Sequence, residues 1–301
     1  MTTVTGQACV GDERRAPMTD EPEVMVYEPE QRARLGVLQC WGLMASRLLR
    51  SRELVGRLFR RDVLAATQHS MLGLAWILIS PLVGIASWVF MSRAGVLSPG
   101  DIGVPYPLFV LIGATTWGVF MAFFASAAAS LTSNGSLILH ARFSHEALVA
   151  QQAAQALVSV TANLVVLILA LLLFGVWPHW GALLFPLSLV PMMLLGTGLG
   201  MCVAIFAVLV HDVTKVTMTL LGLLMFLTPV IYAPDVSDEW LQQLIWHNPM
   251  TYLVAGPRDL LLAGSMGHAR GYAVSAAAAI GLFMLSWRLF FIAEQKVVEK
   301  V

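Results

Sequence analysis

The 301-residue sequence contains little charge and little cysteine. Only 12% of its residues are charged, about half the fraction found in an ordinary soluble domain, and 58% are hydrophobic. The three cysteines, Cys9, Cys40 and Cys202, fall in a predicted cytoplasmic segment or inside an apolar stretch, so we expect three free thiols and no disulfide. This composition excludes an ordinary soluble domain and favours an integral membrane protein.

Several motifs of catalysis and ligand binding are also missing. No G-x-x-x-x-G-K-[ST] loop occurs, so we expect no nucleotide bound in the P-loop manner. The seven histidines are scattered without an H-E-x-x-H motif, which predicts no metal site. Gly135 and Ser136 lack the second glycine of a nucleophile elbow, and no basic patch with interleaved aromatics indicates nucleic-acid binding. The chain is therefore predicted to bind no cofactor and to catalyse no reaction.

Six apolar stretches are each close to the roughly 20 residues that a helix needs to cross a bilayer core of about 30 Å. The predicted spans are Ser70–Ser92, Tyr106–Leu131, Leu148–Phe174, Ala182–Val210, Thr214–Ala233 and Tyr272–Ile292. An even number of spans places both termini on one side of the membrane. All Lys and Arg except Arg93, Arg258 and Arg270 fall on that side, so the positive-inside rule predicts cytoplasmic termini.

The chain divides into three predicted parts. Residues 1–34 are acidic, contain three prolines and are predicted to form a disordered cytoplasmic tail. Residues 35–69 are predicted to form an amphipathic interface helix, broken near Ser51. Its apolar residues Trp41, Met44, Leu48, Val55 and Phe59 fall within an arc of about 60°. Simple anchoring to anionic lipid is an equal alternative for this helix. Residues 70–301 form the predicted transmembrane domain.

The second and fourth spans carry patterns that indicate close helix packing. Gly196 and Gly200 in the fourth span are four residues apart, a spacing that lets helices approach closely. Trp117, Phe120 and Phe124 recur at helical spacing in the second span. Aromatic rings stack on the apolar faces of sugars, so these rings are candidates for a transport path; packed core or contact with lipid is the equal alternative.

Two short segments outside the spans are candidates for special roles. Asn134–Glu146 lies on the cytoplasmic side and has an apolar centre, which predicts a short helix projecting into the cytoplasm. On the outer side, Trp240–Trp246 and Met250–Leu262 are apolar yet too short to cross the membrane. They are predicted to be re-entrant or interfacial helices, serving as an external gate or, alternatively, as a hairpin on the membrane surface.

Three stretches resemble one transporter family. They are Ser51-Arg52-Glu53-Leu54 through Leu58-Phe59-Arg60-Arg61-Asp62 with Leu72-Gly73, Trp76 and Pro81; His211-Asp212-Val213 with Leu227-Thr228-Pro229-Val230-Ile231-Tyr232; and Asn248-Pro249-Met250-Thr251 through Arg258 and Leu260-Leu261-Leu262-Ala263-Gly264. In this order they resemble the transmembrane subunits of type-2 ABC exporters, specifically the polysaccharide-export permeases of O-antigen (Wzm-type), capsule and teichoic-acid transporters. Ala66-Thr67 stands where the family commonly has Arg-Tyr, and His211 stands where it has Arg.

The resemblance implies an all-α inner-membrane permease that forms a homodimer with two copies of a separate ATPase, which binds ATP and Mg²⁺. Its implied cargo is an undecaprenyl-linked glycan. A drug or lipid exporter permease is the first alternative, and a membrane-embedded glycan- or lipid-modifying enzyme is the second.

The resulting candidate residues fall into four groups. They are the transport path (Trp76, Trp117, Phe120, Phe124), coupling to the ATPase (Asn134, Leu137, Ile138, His140, Arg142), the interface helix (Arg60, Arg61, Asp62) and the external gate (Trp240, Trp246, Asn248, Pro249, Arg258).

Overall fold

A computed structural model describes residues 37–68, 75–95, 102–132, 145–210, 212–235 and 238–298. Within these ranges all regular structure is helical. The helices are α1 (Val37–Arg50), α2 (Arg52–Gln68), α3 (Ala75–Arg93), α4 (Tyr106–Ala129), α5 (His145–Leu173), α6 (Phe185–Ser188), α7 (Val190–Ala207), α8 (Asp212–Leu227), α9 (Glu239–His247), α10 (Pro249–Leu262) and α11 (Ala269–Val298), with a 3₁₀ helix at Trp180–Leu184. The predicted tail, residues 1–34, and the predicted coupling segment Asn134–Arg142 lie outside the described ranges.

Four helical segments are long and apolar enough to cross a membrane. They are Tyr106–Ala129, Ala147–Leu173, Trp180–Ala207 and Ala269–Ala293, and they correspond to the second, third, fourth and sixth predicted spans. The first predicted span contains α3, with 19 described helical residues. The fifth contains α8, whose 16 residues rise only about 24 Å because the helix ends at Leu227, ahead of Thr228 and Pro229.

α4 lies at the centre of the bundle. It packs most extensively against α7 and α5, and its side chains dominate the main buried apolar cluster. Gly196 and Gly200 on α7 allow this packing, because a Cβ atom on either glycine would lie 2.5 Å from the carbonyl oxygen of Phe120 or Phe124, respectively. The prediction that these glycines serve helix packing is confirmed.

The outer surface of the bundle is apolar, as expected of a protein surrounded by lipid. α8 has a single buried residue, Leu221. Four of its large apolar side chains are more than half exposed: Val216, Leu220, Leu223 and Phe226. α5 presents a similar row, which consists of Ile168, Leu169, Leu172 and Leu173. A surface of this kind would be costly in water, which favours a membrane around the bundle.

The amphipathic segment is helical and is interrupted at Ser51, as predicted. Its apolar side faces protein: Met44 is buried together with Phe291 of α11, and Trp41 and Trp287 pack beside them. The arginines of the segment whose side chains are described are exposed, namely Arg50, Arg52, Arg57, Arg60 and Arg61. The apolar residues Met44 and Trp41 and the exposed arginines therefore lie on different sides of the segment, and contact of the segment with the cytoplasmic leaflet stays a prediction.

Candidate functional site

The outer part of the fifth predicted span loses its helical structure while it remains inside the protein. α8 ends at Leu227, and the next four residues, Thr228 to Ile231, are all buried. Pro229 has no backbone N–H to continue a helix. The carbonyl groups at this break therefore need partners from other parts of the chain, because they are buried away from water.

Arg258 on α10 supplies those partners. Its Nη2 donates hydrogen bonds to the carbonyl oxygens of Pro229, at 2.9 Å, and Val230, at 3.0 Å. The guanidinium carbon lies 3.8 Å from the centroid of the Phe109 ring, a cation–π contact with α4. Gly113 makes room for this arrangement, since a Cβ there would overlap the Val230 carbonyl and contact the Arg258 guanidinium. One side chain thus joins α10, α4 and the end of α8.

The Arg258 guanidinium carries its charge without a carboxylate partner. Its side chain is only 4% exposed, and none of the salt bridges between described residues includes it. Burial lowers the pKa of Arg258 to about 10, and the nearby Asp259 charge opposes that shift, so the group stays protonated at neutral pH. Burial also raises the pKa of Asp259, whose carboxylate accepts a hydrogen bond from the Gly267 N–H.

Asn248 forms a second connection to the break. It caps α10 by accepting a hydrogen bond from the Met250 N–H at 3.0 Å. Its Nδ2 donates to Oγ1 of Thr228, also at 3.0 Å. Thr251 donates from its Oγ1 to the Ile245 carbonyl at 2.6 Å, which ties α10 to the end of α9. The short helices α9 and α10 and the break after α8 therefore form one hydrogen-bonded unit.

The other predicted gate residues lie around this unit. Trp246 packs against His268 and Tyr252, with ring centroids 4.3 and 5.3 Å apart, respectively. Pro249 is exposed in the first turn of α10. A backbone N–H in this turn would have no acceptor within the helix, so proline costs no hydrogen bond here. Trp240 is 72% exposed on α9 and does not join the aromatic cluster. The structure thus brings Asn248 and Arg258 to one place, whereas Trp240 lies apart from them.

The aromatic side chains proposed for a transport path are in the core of the helix bundle. Trp117 is 5% exposed, and Phe120 and Phe124 are fully buried. Their rings form a continuous row, with centroids 5.3 Å apart for Trp117 and Phe120 and 6.4 Å apart for Phe120 and Phe124. This location favours the packed-core alternative, and their role in a transport path stays a prediction. The Trp76 side chain lies outside the described part of the structure.

The predicted cytoplasmic residues are described only in part. Asn134, Leu137, Ile138, His140 and Arg142 lie outside the described ranges. On α2, Arg60 is exposed, whereas Arg61 donates from its Nε to Oδ1 of Asp62 at 2.7 Å. The second carboxylate oxygen of Asp62 accepts from Nε2 of the buried Gln151 on α5, also at 2.7 Å.

Sequence reasoning missed Phe109, Gly113, Thr228 and Gln151. Gln151 had a usable signal, because a polar side chain inside a predicted span is costly and therefore marks a specific contact. Gly113 and Phe109 had none, since a glycine and a phenylalanine are ordinary in an apolar helix.

Comparison with known proteins gives a consistent result. Residues 53–262 match the family model described as "ABC-2 type transporter". The chain is 22% identical over 257 residues to the O-antigen export system permease protein RfbA of Myxococcus xanthus, covering 84% of this chain and 97% of that protein. It is 20% identical over 213 residues to a protein of the same name from Klebsiella pneumoniae, covering 69% of this chain and 80% of the relative. The matched region contains almost all of α2, the central α4, and the unit formed by α9, α10 and the break after α8.

Proposed function

Because the chain belongs to the ABC-2 type transporter family, we propose that it is the transmembrane subunit of an ATP-driven exporter that moves a lipid-linked polysaccharide out across the cytoplasmic membrane. The observation that carries this proposal is the alignment with an O-antigen export permease over 97% of that protein's length. A match of this extent includes the spans and the outer segments together, so it supports a shared architecture as well as a shared family.

The proposed topology has six spans, with both termini in the cytoplasm. Four helices long enough to cross the membrane support it, as do the apolar α3 and α8. The distribution of Lys and Arg in the sequence favours this orientation over its reverse. α1 and α2 would then lie at the cytoplasmic surface as the interface helix, and the end of α8 would lie on the outer side.

The proposed assembly is a homodimer with two copies of a separate ATPase subunit, surrounded by membrane lipids. The ATPase would bind ATP and Mg²⁺, because the sequence of this chain contains no P-loop motif. The proposed cargo is a glycan on an undecaprenyl-type carrier. Membrane spans almost without ionisable residues at their centres argue against coupling to an ion gradient.

We further propose that α9 and α10 are re-entrant helices that form an external gate. Their 9 and 14 residues rise about 13 and 21 Å, so neither crosses a core of about 30 Å. Non-helical backbone at membrane depth needs protein around it. The contacts of Arg258 and Asn248 with the end of α8 meet that need.

The proposed division of labour predicts that the purified chain alone releases no phosphate from ATP. Hydrolysis should appear only when the chain is co-purified with its partner ATPase. Phosphate release from both preparations in detergent or lipid nanodiscs provides the measurement. Robust turnover by the isolated chain would contradict the exporter-subunit proposal.

Glycan on the cell surface that disappears when the gene is deleted would favour a polysaccharide cargo over a drug or lipid cargo.

The predicted coupling segment can be tested separately. Replacing Leu137 and Ile138 with Asp should abolish co-purification of the ATPase, because the apolar centre of Asn134–Arg142 is expected to dock into a cleft on that subunit. Membrane insertion should be unaffected, since the segment lies outside the spans. A matched double substitution, Val216→Asp with Leu220→Asp, should instead impair insertion. Undiminished ATPase binding by the first variant would move the interface to the segment Leu35–Asp62.

A further inference from the structure

A polar link joins α2 to α5 between residues 89 positions apart in sequence. Nε2 of Gln151 donates to Oδ2 of Asp62 at 2.7 Å. Oδ1 of the same carboxylate accepts from Nε of Arg61, also at 2.7 Å. Gln151 is fully buried, whereas the Asp62 side chain is 21% exposed. The buried amide is therefore held by a carboxylate that reaches in from the neighbouring helix.

The orientation of the Gln151 amide follows from this contact. A carboxylate only accepts hydrogen bonds, so the NH₂ group must face Asp62; the reversed amide would place two acceptor oxygens together. The other amide atom, Oε1, is buried and has no hydrogen-bond partner among the residues that the structure describes. An unpaired buried carbonyl oxygen costs free energy that an apolar side chain at this position would not. Simple packing of α2 on α5 does not require this residue.

The link differs in kind from the other buried contacts of the N-terminal segment. α1 contacts α11 through Met44 and Phe291, which are apolar. Apolar contact is non-directional, so it specifies no particular pair of atoms. A hydrogen bond has a preferred distance and angle, and one made to a charged group is stronger than a neutral one. The Gln151–Asp62 bond therefore sets the register of α2 against α5.

We propose that Gln151 is a positioning residue that makes α2 and α5 move as one unit during transport, an inference that rests on the proposed exporter function. α2 carries Arg60, Arg61 and Asp62, the predicted interface residues. α5 begins at His145, directly after the predicted coupling segment in sequence. A displacement that the ATPase imposes on either helix is transmitted to the other through the bond. Without the bond, ATP hydrolysis continues while the movement of the spans is lost.

The test compares hydrolysis with transport in the complete complex. Inside-out membrane vesicles from cells that make the glycan receive ATP on the outside, and transported glycan becomes protected from periodate oxidation. Gln151→Leu should retain the ATPase subunit and its phosphate release, while the glycan protected per phosphate falls roughly tenfold or more, the factor typical of one lost hydrogen bond to a charged group. Thermal stability of the complex in detergent is measured in parallel.

Two further variants make the result specific. Asp62→Asn keeps an acceptor oxygen for the Gln151 amide and removes only the charge, so it should lose less transport per phosphate than Gln151→Leu. Glu53→Gln is the matched control on α2, because the Glu53–Arg57 pair is 3.5 Å apart and its side chains are 77% and 80% exposed. An exposed pair of this kind contributes little, so the control should behave as wild type.

A wild-type ratio of transport to hydrolysis in Gln151→Leu would overturn the coupling role. A parallel loss of stability, hydrolysis and transport would overturn it as well, because it would assign Gln151 to folding alone. If the wild-type complex shows no ATP-dependent protection of glycan, the exporter function itself fails, and that outcome is distinct from both.

Discussion

Replacing Arg258 with methionine is expected to detach the end of α8 from α10 and to stop export. The guanidinium is the partner of the Pro229 and Val230 carbonyls, which are buried at the break in the helix. Each buried carbonyl left without a partner costs about 1–3 kcal/mol. Methionine fills a similar volume and removes the cost of burying the charge, so it isolates the loss of the two hydrogen bonds.

Hydrogen–deuterium exchange is the direct measurement of this effect. Peptides that contain Thr228–Tyr232 should lose protection in Arg258→Met, and peptides from the centre of α4 should keep it. Arg258→Lys should give a partial effect, because a single ammonium group does not reproduce the planar donor geometry of a guanidinium. Arg270→Met is the control, since Arg270 is an exposed arginine at the start of α11.

Gly113→Ala tests the same contact from the side of α4. A Cβ at this position would overlap the Val230 carbonyl and press on the Arg258 guanidinium, so it should loosen the same peptides although Arg258 is intact. Gly118→Ala is its control, since a Cβ there meets nothing within 4 Å. Wild-type exchange and export in both Arg258→Met and Gly113→Ala would show that this contact does not hold α10 and the end of α8 together.

The simultaneous replacement of Trp117, Phe120 and Phe124 with alanine should unfold the bundle. The three rings are 5%, 0% and 0% exposed at the centre of the helix bundle. A buried Phe or Trp changed to Ala costs about 3–5 kcal/mol, so three such changes approach the whole stability of a typical domain. We expect loss of a cooperative thermal transition in detergent and loss of surface glycan, detected by lectin binding.

A control of the same composition separates packing from transport. Phe90, Trp177 and Phe206 are 73%, 82% and 59% exposed, and their triple alanine variant should keep its thermal transition. If the variant of the three buried rings instead folds normally and binds an active ATPase but exports no glycan, these rings belong to the transport path. Normal export in that variant would remove them from both roles.

The break in the fifth span shows where prediction from sequence stopped. Residues 214–233 are apolar enough to be predicted as one span, but the helix ends at Leu227. Pro229 predicts an interruption of the helix, but the sequence does not predict which donors would hydrogen-bond to the carbonyl groups that the interruption leaves free. Their partner, Arg258, is 28 residues or more away in sequence. Arg258 was a gate candidate by family resemblance, and its contacts with these carbonyls came only from the structure.

Gln151 is the corresponding case at the contact between α2 and α5. Its polar side chain in an apolar helix was visible in the sequence, but its partner Asp62 lies on a separate helix. By contrast, the interruption of the amphipathic segment at Ser51 and the packing role of Gly196 and Gly200 were predicted correctly. Those features depend on residues within one or two helical turns, where the spacing of side chains defines a shared face.

The amino-acid sequence alone determined that this is a helical membrane protein, because the free energy of placing a segment in lipid is close to a sum over its own residues. It also determined which helix faces are apolar and where small residues permit close approach. Tertiary structure decided that Trp117, Phe120 and Phe124 are buried in the helix bundle, that Arg258 supports the broken end of α8, and that Gln151 holds Asp62. These outcomes depend on the packing of residues distant in sequence, which no local pattern specifies.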